Sequence, residues 1–468
     1  MQYLLFFILF LVTISVFVWA LIKIARLKYI FLQKIVIKKI INKPFFSTLA
    51  VKRFVKYVFN QKKDKQRLFL KNIMEDKFTT MIKIIDNPQI QAELKLMISG
   101  KLSKIKLSDY EYGLICSAFY LNKNQITKAQ NILQKIDKNN LDKTNLAFWC
   151  LQQGQLALFE GDLLTASEQT ARSLRFFQKN NLFFEEALAY FVLGNVYRVS
   201  GVFDSADFML RSALKLFKFL GAKNKEAEVL GTFALLMSVQ QRFDEAEDYL
   251  TKAELILSEN CDLWYFINCQ KAMLALISGN LKLTKKRVNL ILKKTNISTV
   301  IAMANDILAR VAMVENRFNA AIKHASLAAN IYDSEQNLAS LFECQYITAE
   351  AYAKNNNLDK AELVLRKLIN REKHYKSCFY VANAYTLLGL ILLQKGKINR
   401  AKAIMNQALR LELFSNRKTG AAVDYANLAI VEKKQGNIYD AHKNLAAALQ
   451  YAKDTDKDLY DMLKNALD

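Results

Sequence analysis

Apolar residues recur at helical spacing along most of the chain, and short turns interrupt the pattern at regular intervals. At each interruption a turn residue is followed by a hydrophobic residue and then by a small residue that opens the next run. The small residues are Ala129, Ala166, Ala206, Ala246, Thr284, Ala321, Ala361, Ala401 and Ala441, which stand 37 to 40 residues apart. This periodicity predicts an all-α chain with about nine repeats of two amphipathic helices, from about residue 106 to residue 457.

The copy around Ala206 is similar to the tetratricopeptide repeat. Its matching residues are Tyr190, Leu193, Gly194, Tyr197, Gly201, Ala206 and Ala213, with Leu210 in place of the family's aromatic residue. The copies that contain Tyr385 and Tyr425 match the same pattern. The resemblance implies a right-handed superhelix (solenoid) of stacked hairpins, of the longer variant with about 40 residues per repeat. It also implies a protein that binds proteins or peptides.

The N-terminal residues 3–22 contain no charged side chain and are long enough to cross a bilayer as a helix. They predict a transmembrane anchor over residues 1–22, with a cleaved signal peptide or a buried helix as the alternatives. Fifteen Lys or Arg residues follow between residues 23 and 71, against the single acid Asp64. By the positive-inside rule we expect the N-terminus outside and the repeats in the cytoplasm. The chain also resembles bacterial inner-membrane tetratricopeptide proteins, and this resemblance implies a bacterial inner (plasma) membrane.

The basic juxtamembrane segment, residues 23–72, places apolar side chains among its cations, for example Phe54 and Val55 beside Lys52 and Arg53. Such a helix can lie on an anionic membrane surface, or the segment can be an ordinary solvated linker. Residues 73–105 are expected to form a helical lead-in, and residues 458–468 the end of a C-terminal capping helix.

The chain has a formal net charge of +24, but beyond the juxtamembrane segment the basic excess is small and dispersed. Nucleic acid is therefore not expected as a partner. The six cysteines contain no C-x-x-C pair and indicate reduced core thiols. Phosphate-loop, zinc and nucleophile motifs are missing from the sequence, so no catalytic residue, metal site or cofactor is predicted.

The resemblance further implies a binding groove lined by first-helix residues at fixed offsets. The polar residues at those offsets are Gln155, Asn195, Arg198, Asp306, Arg310, Glu350 and Lys433. Arg198 and Arg310, together with Asn195, can fix a carboxylate or the backbone amides of a bound segment. Apolar residues at these offsets include Phe191 and Leu235. The alternative for each polar residue is an ordinary solvated helix surface.

Together these features predict a membrane-anchored scaffold or adaptor that binds protein partners on the cytoplasmic face of a membrane, without catalysis. Two alternatives stay open, a peptide-sensing regulatory protein and an organelle import receptor-like protein. An unrecognised enzyme would require a pocket with perturbed titratable groups. The sequence leaves open whether the protein forms homo-oligomers.

Overall fold

The computed structural model describes residues 28–30, 32–43, 46–75, 77–99, 110–259, 261–372, 378–415, 417–453 and 457–465. Over these residues the chain forms helices and turns and contains no strand. Contacts between Cα atoms divide it into two compact units, with the boundary between Phe119 and Tyr120. The predicted all-α class is therefore confirmed.

The first unit contains residues 28–30 and 32–40, which are helical, residues 110–119 of a helix that continues past Phe119, and four complete helices. These are α1 (Thr48–Phe59), α2 (Lys63–Met74), α3 (Phe78–Lys83) and α4 (Pro88–Ser99). Helix α1 packs on α2 and α4, and α3 packs on both α2 and α4.

The apolar face of α1 is buried in this helical unit. Val51, Phe54, Val55 and Val58 are each no more than 1% exposed, and the ring of Phe54 meets that of Phe69 edge-on at 6.1 Å. Because packing already covers this face, the structure does not support the predicted contact of these side chains with an anionic membrane surface. The apolar residues that suggested an interfacial helix are core residues of the first unit.

The predicted membrane location is contradicted. Within the part of the chain that the structure describes, no helix combines the length and the apolar character needed to cross a bilayer. The predicted span itself, residues 3–22, lies outside the described residues. The expectation of a single-pass protein with cytoplasmic repeats is therefore withdrawn.

From residue 110 onward the described chain is a series of helical hairpins. The first helices of these hairpins are α5 (Tyr110–Asn122), α7 (Lys143–Glu160), α9 (Phe183–Val199), α11 (Lys223–Val239), α13 (Asp262–Ile277), α15 (Ser298–Val314), α17 (Leu338–Lys354), α19 (Cys378–Gln394) and α21 (Lys418–Lys434). The second helices are α6 (Ile126–Leu133), α8 (Leu163–Lys179), α10 (Phe203–Leu220), α12 (Phe243–Ile256), α14 (Leu281–Lys294), α16 (Phe318–Ser334), α18 (Leu358–Glu372), α20 (Ile398–Phe414) and α22 (Ile438–Ala452). Helix α23 (Lys457–Asn465) packs on α22.

Each of these nine hairpins turns through one residue with a left-handed backbone. The residues are Asn124, Gly161, Gly201, Gln241, Gly279, Asn316, Asn356, Gly396 and Gly436, with φ between 54° and 81°. At Gly201, for example, the next amide, that of Val202, donates back to the Tyr197 carbonyl at 2.9 Å, which closes a Schellman-type cap. These positions coincide with the turns that the sequence periodicity predicts.

The hairpins stack in two layers. From α7–α8 to α21–α22, the two helices of each hairpin pack together, and the first helix also contacts the first helix of the next hairpin. Small residues allow the close crossing, since Ala206 is fully buried and a Cβ on Gly194 would lie 2.7 Å from Cδ2 of Leu210. The first helices therefore form one continuous layer, and the candidate groove residues lie on that layer.

Candidate functional site

Three of the predicted groove residues, Gln155, Asn195 and Arg198, line one cavity with a volume of about 410 Å³. We call it the Arg198 cavity. Its lining consists of Leu121, Asn122, Asn124, Gln155, Leu158, Phe159, Gly161, Leu163, Phe191, Val192, Asn195, Arg198, Val199, Ser415 and Arg417. The walls are largely apolar, with carboxamide groups, the Ser415 hydroxyl group and two guanidinium groups as the polar members.

The stacking of first helices positions these side chains. Gln155 on α7 and Asn195 on α9 are 40 residues apart, which is one repeat, so they occupy equivalent positions on adjacent first helices. Phe191, Asn195 and Arg198 are separated by four and three residues and therefore share one face of α9. Packing of α9 against α10 holds α9 in place and so positions this face.

Arg198 has few partners for a partly buried guanidinium group. Its Nη2 donates to Oδ1 of Asn195 at 3.3 Å, and its Nε is buried with no hydrogen-bond partner among the described residues. The described residues around it offer no carboxylate, because none of the side chains that line the cavity is acidic. Burial lowers the pKa of Arg198, but a guanidinium stays protonated near neutral pH, so the positive charge is retained.

Arg417, the second cation of the lining, has a carboxyl group as its partner. Its Nη1 lies 3.1 Å from Oε1 of Glu412, whose side chain is buried. Space for that carboxylate exists because residue 420 is glycine, on which a Cβ would lie 2.1 Å from Oε2 of Glu412. Of the two cations in the wall, Arg198 is therefore the one without a carboxylate.

Two buried carboxyl groups, those of Glu412 and Asp424, lie near Arg417. Burial raises the pKa of Glu412 to about 7, and the neighbouring Arg417 opposes this shift only in part. Burial also raises the pKa of Asp424 to about 6, although Oγ1 of Thr386 donates to its Oδ1 at 2.7 Å. This pair places titratable groups next to one wall of the cavity.

Asp306 and Arg310 form a separate group on α15. Nε of Arg310 lies 3.1 Å from Oδ2 of Asp306, and its Nη2 lies 3.0 Å from Oε2 of Glu343. Neither residue lines the Arg198 cavity. The predicted cooperation of Arg310 with Arg198 around one carboxylate is therefore not seen, since the protein itself supplies the carboxylates for Arg310.

The last two predicted groove residues lie elsewhere on the first helices. Oε1 of Glu350 accepts from Nζ of Lys354 at 2.9 Å, one turn along α17. Lys433 is exposed in the last turn of α21. The apolar residue Phe191 lines the cavity, whereas Leu235, its predicted companion on the next first helix, is 39% exposed and does not.

The prediction from sequence missed the cavity residues that lie at the end of α5 and in the connections between helices. Leu121, Asn122 and Asn124 come from the α5–α6 hairpin, and Ser415 and Arg417 from the connection between α20 and α21. These groups are almost 300 residues apart in sequence, and the array curves enough to bring them together. The curvature is also visible where Nε2 of Gln125 donates to the Glu335 carbonyl at 2.8 Å. No local sequence signal reports such a contact.

Comparison with solved structures returns helical arrays of low sequence identity. The apo form of the quorum sensor NprR from B. thuringiensis is 16% identical, with a TM-score of 0.47, over 72% of this chain and 97% of that one. A Rap protein complexed with competence and sporulation factor is 15% identical, with a TM-score of 0.46, over 70% and 92%. The STAND protein PH0952 from Pyrococcus horikoshii, which has a tetratricopeptide repeat sensor, is 13% identical, with a TM-score of 0.43, over 90% and 72%.

A search of curated proteins finds no match to the chain. The scan against protein families finds one, a tetratricopeptide repeat over residues 382–413. That segment contains most of α19, the turn at Gly396 and nearly all of α20. The α19–α20 hairpin is therefore identified as a tetratricopeptide repeat.

Proposed function

We propose that the hairpin array is a protein-binding module, a scaffold or adaptor, that holds a peptide segment of its partner on the first-helix layer at the Arg198 cavity. The single observation that carries the proposal is this cavity, in which apolar walls surround a small number of convergent polar groups. Its volume falls within the range of about 300–1,000 Å³ that is typical of ligand sites.

The polar groups of the cavity suit a peptide. The carboxamides of Asn122, Asn124 and Gln155 each carry both a donor and an acceptor, as a peptide bond does. The apolar surface of Leu158, Phe159 and Val199 can accept a hydrophobic side chain, and its burial stabilises the complex by about 25 cal/mol per Å². We propose no catalysis.

A peptide-sensing regulator is the second candidate, and one observation favours it. A ligand in the Arg198 cavity would touch both the α5–α6 turn and the α20–α21 connection, and so would join distant hairpins. Such a ligand stabilises the curved conformation of the array to the extent that it binds this conformation more tightly than a less curved one.

The proposal is tested by photo-crosslinking in cells with p-benzoylphenylalanine in place of Phe191, which lines the cavity. The matched control carries the same substitution at Phe208, which is 63% exposed on the second helix α10. We expect discrete crosslinked products from position 191 and none of the same mass from position 208. Products from position 208 alone would show that the binding surface lies on the other layer.

A further inference from the structure

We propose that residues 417–424, which we call the α21 start, hold Arg417 in the wall of the Arg198 cavity in a pH-dependent way. The α21 start is closed while the buried carboxyl groups of Glu412 and Asp424 are protonated, and it opens locally when both groups ionise. Opening takes Arg417 out of the cavity wall. The inference concerns the chain without a ligand, so it goes beyond the proposed function and does not depend on it.

The first step is the arrangement of two buried carboxyl groups around one guanidinium group. Glu412 lies in the last turn of α20, Arg417 directly precedes α21, and Asp424 lies in the second turn of α21. Nη1 of Arg417 lies 3.1 Å from Oε1 of Glu412, and Oγ1 of Thr386, on α19, donates to Oδ1 of Asp424 at 2.7 Å. Glu412 and Asp424 are 2% and 1% exposed. One polar cluster therefore joins three packed helices behind the cavity wall.

The second step is the balance of charge in this cluster. When both carboxyl groups are ionised, Arg417 supplies one positive charge against two negative charges. Oε2 of Glu412 and Oδ2 of Asp424 are buried and have no hydrogen-bond partner among the described residues. A buried charge without full compensation is costly, and solvation by water removes that cost. Ionisation of both groups therefore favours a local opening that lets water reach these oxygens.

Other charged groups near α20 and α21 leave this balance unchanged. Nζ of Lys402 and Oε1 of Glu432 form a separate ion pair between the two helices at 2.6 Å. Arg198, on α9, lines the same cavity as Arg417. The charged or titratable side chains in the first two turns of α22, which also packs on α21, are exposed: Tyr439, Asp440, His442 and Lys443. Among the described residues, Arg417 is thus the cation that opposes both carboxylates.

The third step gives the direction of the pH dependence. Burial raises the pKa of Glu412 to about 7 and that of Asp424 to about 6, and in the opened form water returns them towards the ordinary 4.5 and 3.8. The closed form therefore binds more protons than the opened form. Its stabilisation is fully present at low pH and is lost as the pH rises through about 6 and about 7.

The backbone of the α21 start shows what has to move. A Cβ on Gly420 would lie 2.1 Å from Oε2 of Glu412, so this carboxyl group sits directly on the first turn of α21. The amide of Arg417 donates to the Glu412 carbonyl, and the amide of Ala421 donates to the Arg417 carbonyl, each at 2.9 Å. Water reaches the buried carboxyl group when this turn moves away, and both amides then become exchangeable.

Amide hydrogen exchange of the purified full chain at pH 5.5 and pH 7.5 tests the inference. Fragments that cover residues 417–424 are compared by mass spectrometry with fragments from α10, and protection is corrected for the intrinsic pH dependence of exchange. We expect protection of the α21 start to fall at least about tenfold between the two pH values. Protection of α10 should change less than about twofold, because hairpins of an array can open separately.

Three variants assign the effect to the carboxyl pair. Glu412→Gln keeps the shape of the side chain but does not titrate, so most of the fall in protection should disappear. Asp424→Asn leaves one carboxylate for Arg417 and should reduce the fall as well.

The matched control is Glu432→Gln, a second buried carboxylate on α21. Burial alone would raise the pKa of Glu432, but hydrogen bonds from Lys402 and Asn437 lower it below its ordinary value. Glu432 therefore stays ionised at both pH values, and this variant should show the full fall at the α21 start.

Three results would overturn the inference. They are equal protection of the α21 start at both pH values, an equal fall in α10, and an undiminished fall in both Glu412→Gln and Asp424→Asn. The proposed function is judged separately, since absence of crosslinked products from position 191 would contradict peptide binding and leave the pH-dependent opening in place.

Discussion

Arg198 and Arg310 show that the neighbours of an arginine determine whether its guanidinium group already has a carboxylate partner within the protein. Both are arginines on first helices, three repeats apart, and both were predicted to face the same groove. Arg310 is held between two carboxylates, while Arg198 has an amide oxygen as its partner and an apolar wall around it. Sequence offsets place both residues on a helix face, but they do not show which carboxylates reach that face from a neighbouring helix. Glu343, on the next first helix, is the residue that makes the difference.

At the same scale, Glu412 and Asp424 predict how stability depends on pH. Because their folded pKa values, about 7 and about 6, lie above the ordinary 4.5 and 3.8, the folded chain binds more protons than the unfolded chain in this range. The stabilisation is therefore fully present below about pH 4 and is lost as the pH rises towards 7. Between these limits the contribution of Glu412 to the free energy of unfolding falls by on the order of 2–3 kcal/mol.

The variant Glu412→Gln should lose this contribution, so its free energy of unfolding should change less between pH 4.5 and pH 8 than that of the unmodified chain. Glu168→Gln on the exposed face of α8 is the control and should follow the unmodified chain. Chemical denaturation at four pH values measures the difference. Parallel pH curves for Glu412→Gln and the unmodified chain would show that Glu412 does not titrate in this window.

At the scale of elements, the turn of each hairpin is the feature that the sequence predicts best. Glycine or a polar residue stands at each left-handed position, and the hydrophobic and small residues that follow fix where the second helix starts. These signals are local, so a single sequence is enough to place them. How two helices pack against each other is harder to predict from sequence, because it depends on the shapes of the side chains that meet. Thr170, for example, packs against Gly154, where a Cβ would lie 2.2 Å from its Oγ1.

The turns provide a prediction that depends on backbone conformation alone. Gly279 has φ +80°, and a Cβ added there would meet no atom within 4 Å. Gly279→Ala should therefore destabilise the fold only through the strain of holding a residue with a Cβ in the left-handed backbone conformation. We expect the free energy of unfolding to fall by about 1–2 kcal/mol. Asn316→Gly, at the same position of the next hairpin (φ 56°), should change it by no more than about 0.5 kcal/mol.

Chemical denaturation of both variants and of the unmodified chain provides the measurement. A loss of equal size at Asn316→Gly would mean that the side chain, and not the backbone conformation, decides stability at these turns.

At the scale of the molecule, curvature creates the site. Of the first-helix residues that line the Arg198 cavity, the sequence offsets named Gln155, Phe191, Asn195 and Arg198. The sequence could not predict that Asn124 and Arg417 complete the wall, because the rotation between successive hairpins results from many small packing contacts. In the basic segment the sequence was misleading. The apolar face of α1 predicted a helix that lies on a membrane surface, but α2 and α4 cover that face.

The central claim is that one ligand binds across hairpins that are distant in sequence. Amide hydrogen exchange of the full chain, with and without the partner segment identified by crosslinking from position 191, tests it most directly. The account predicts slower exchange in α9 and, in the same sample, in residues 121–124 and 415–417, with no change in α12 or α14. Protection confined to the second helices, or to one end of the array alone, would contradict binding at the Arg198 cavity.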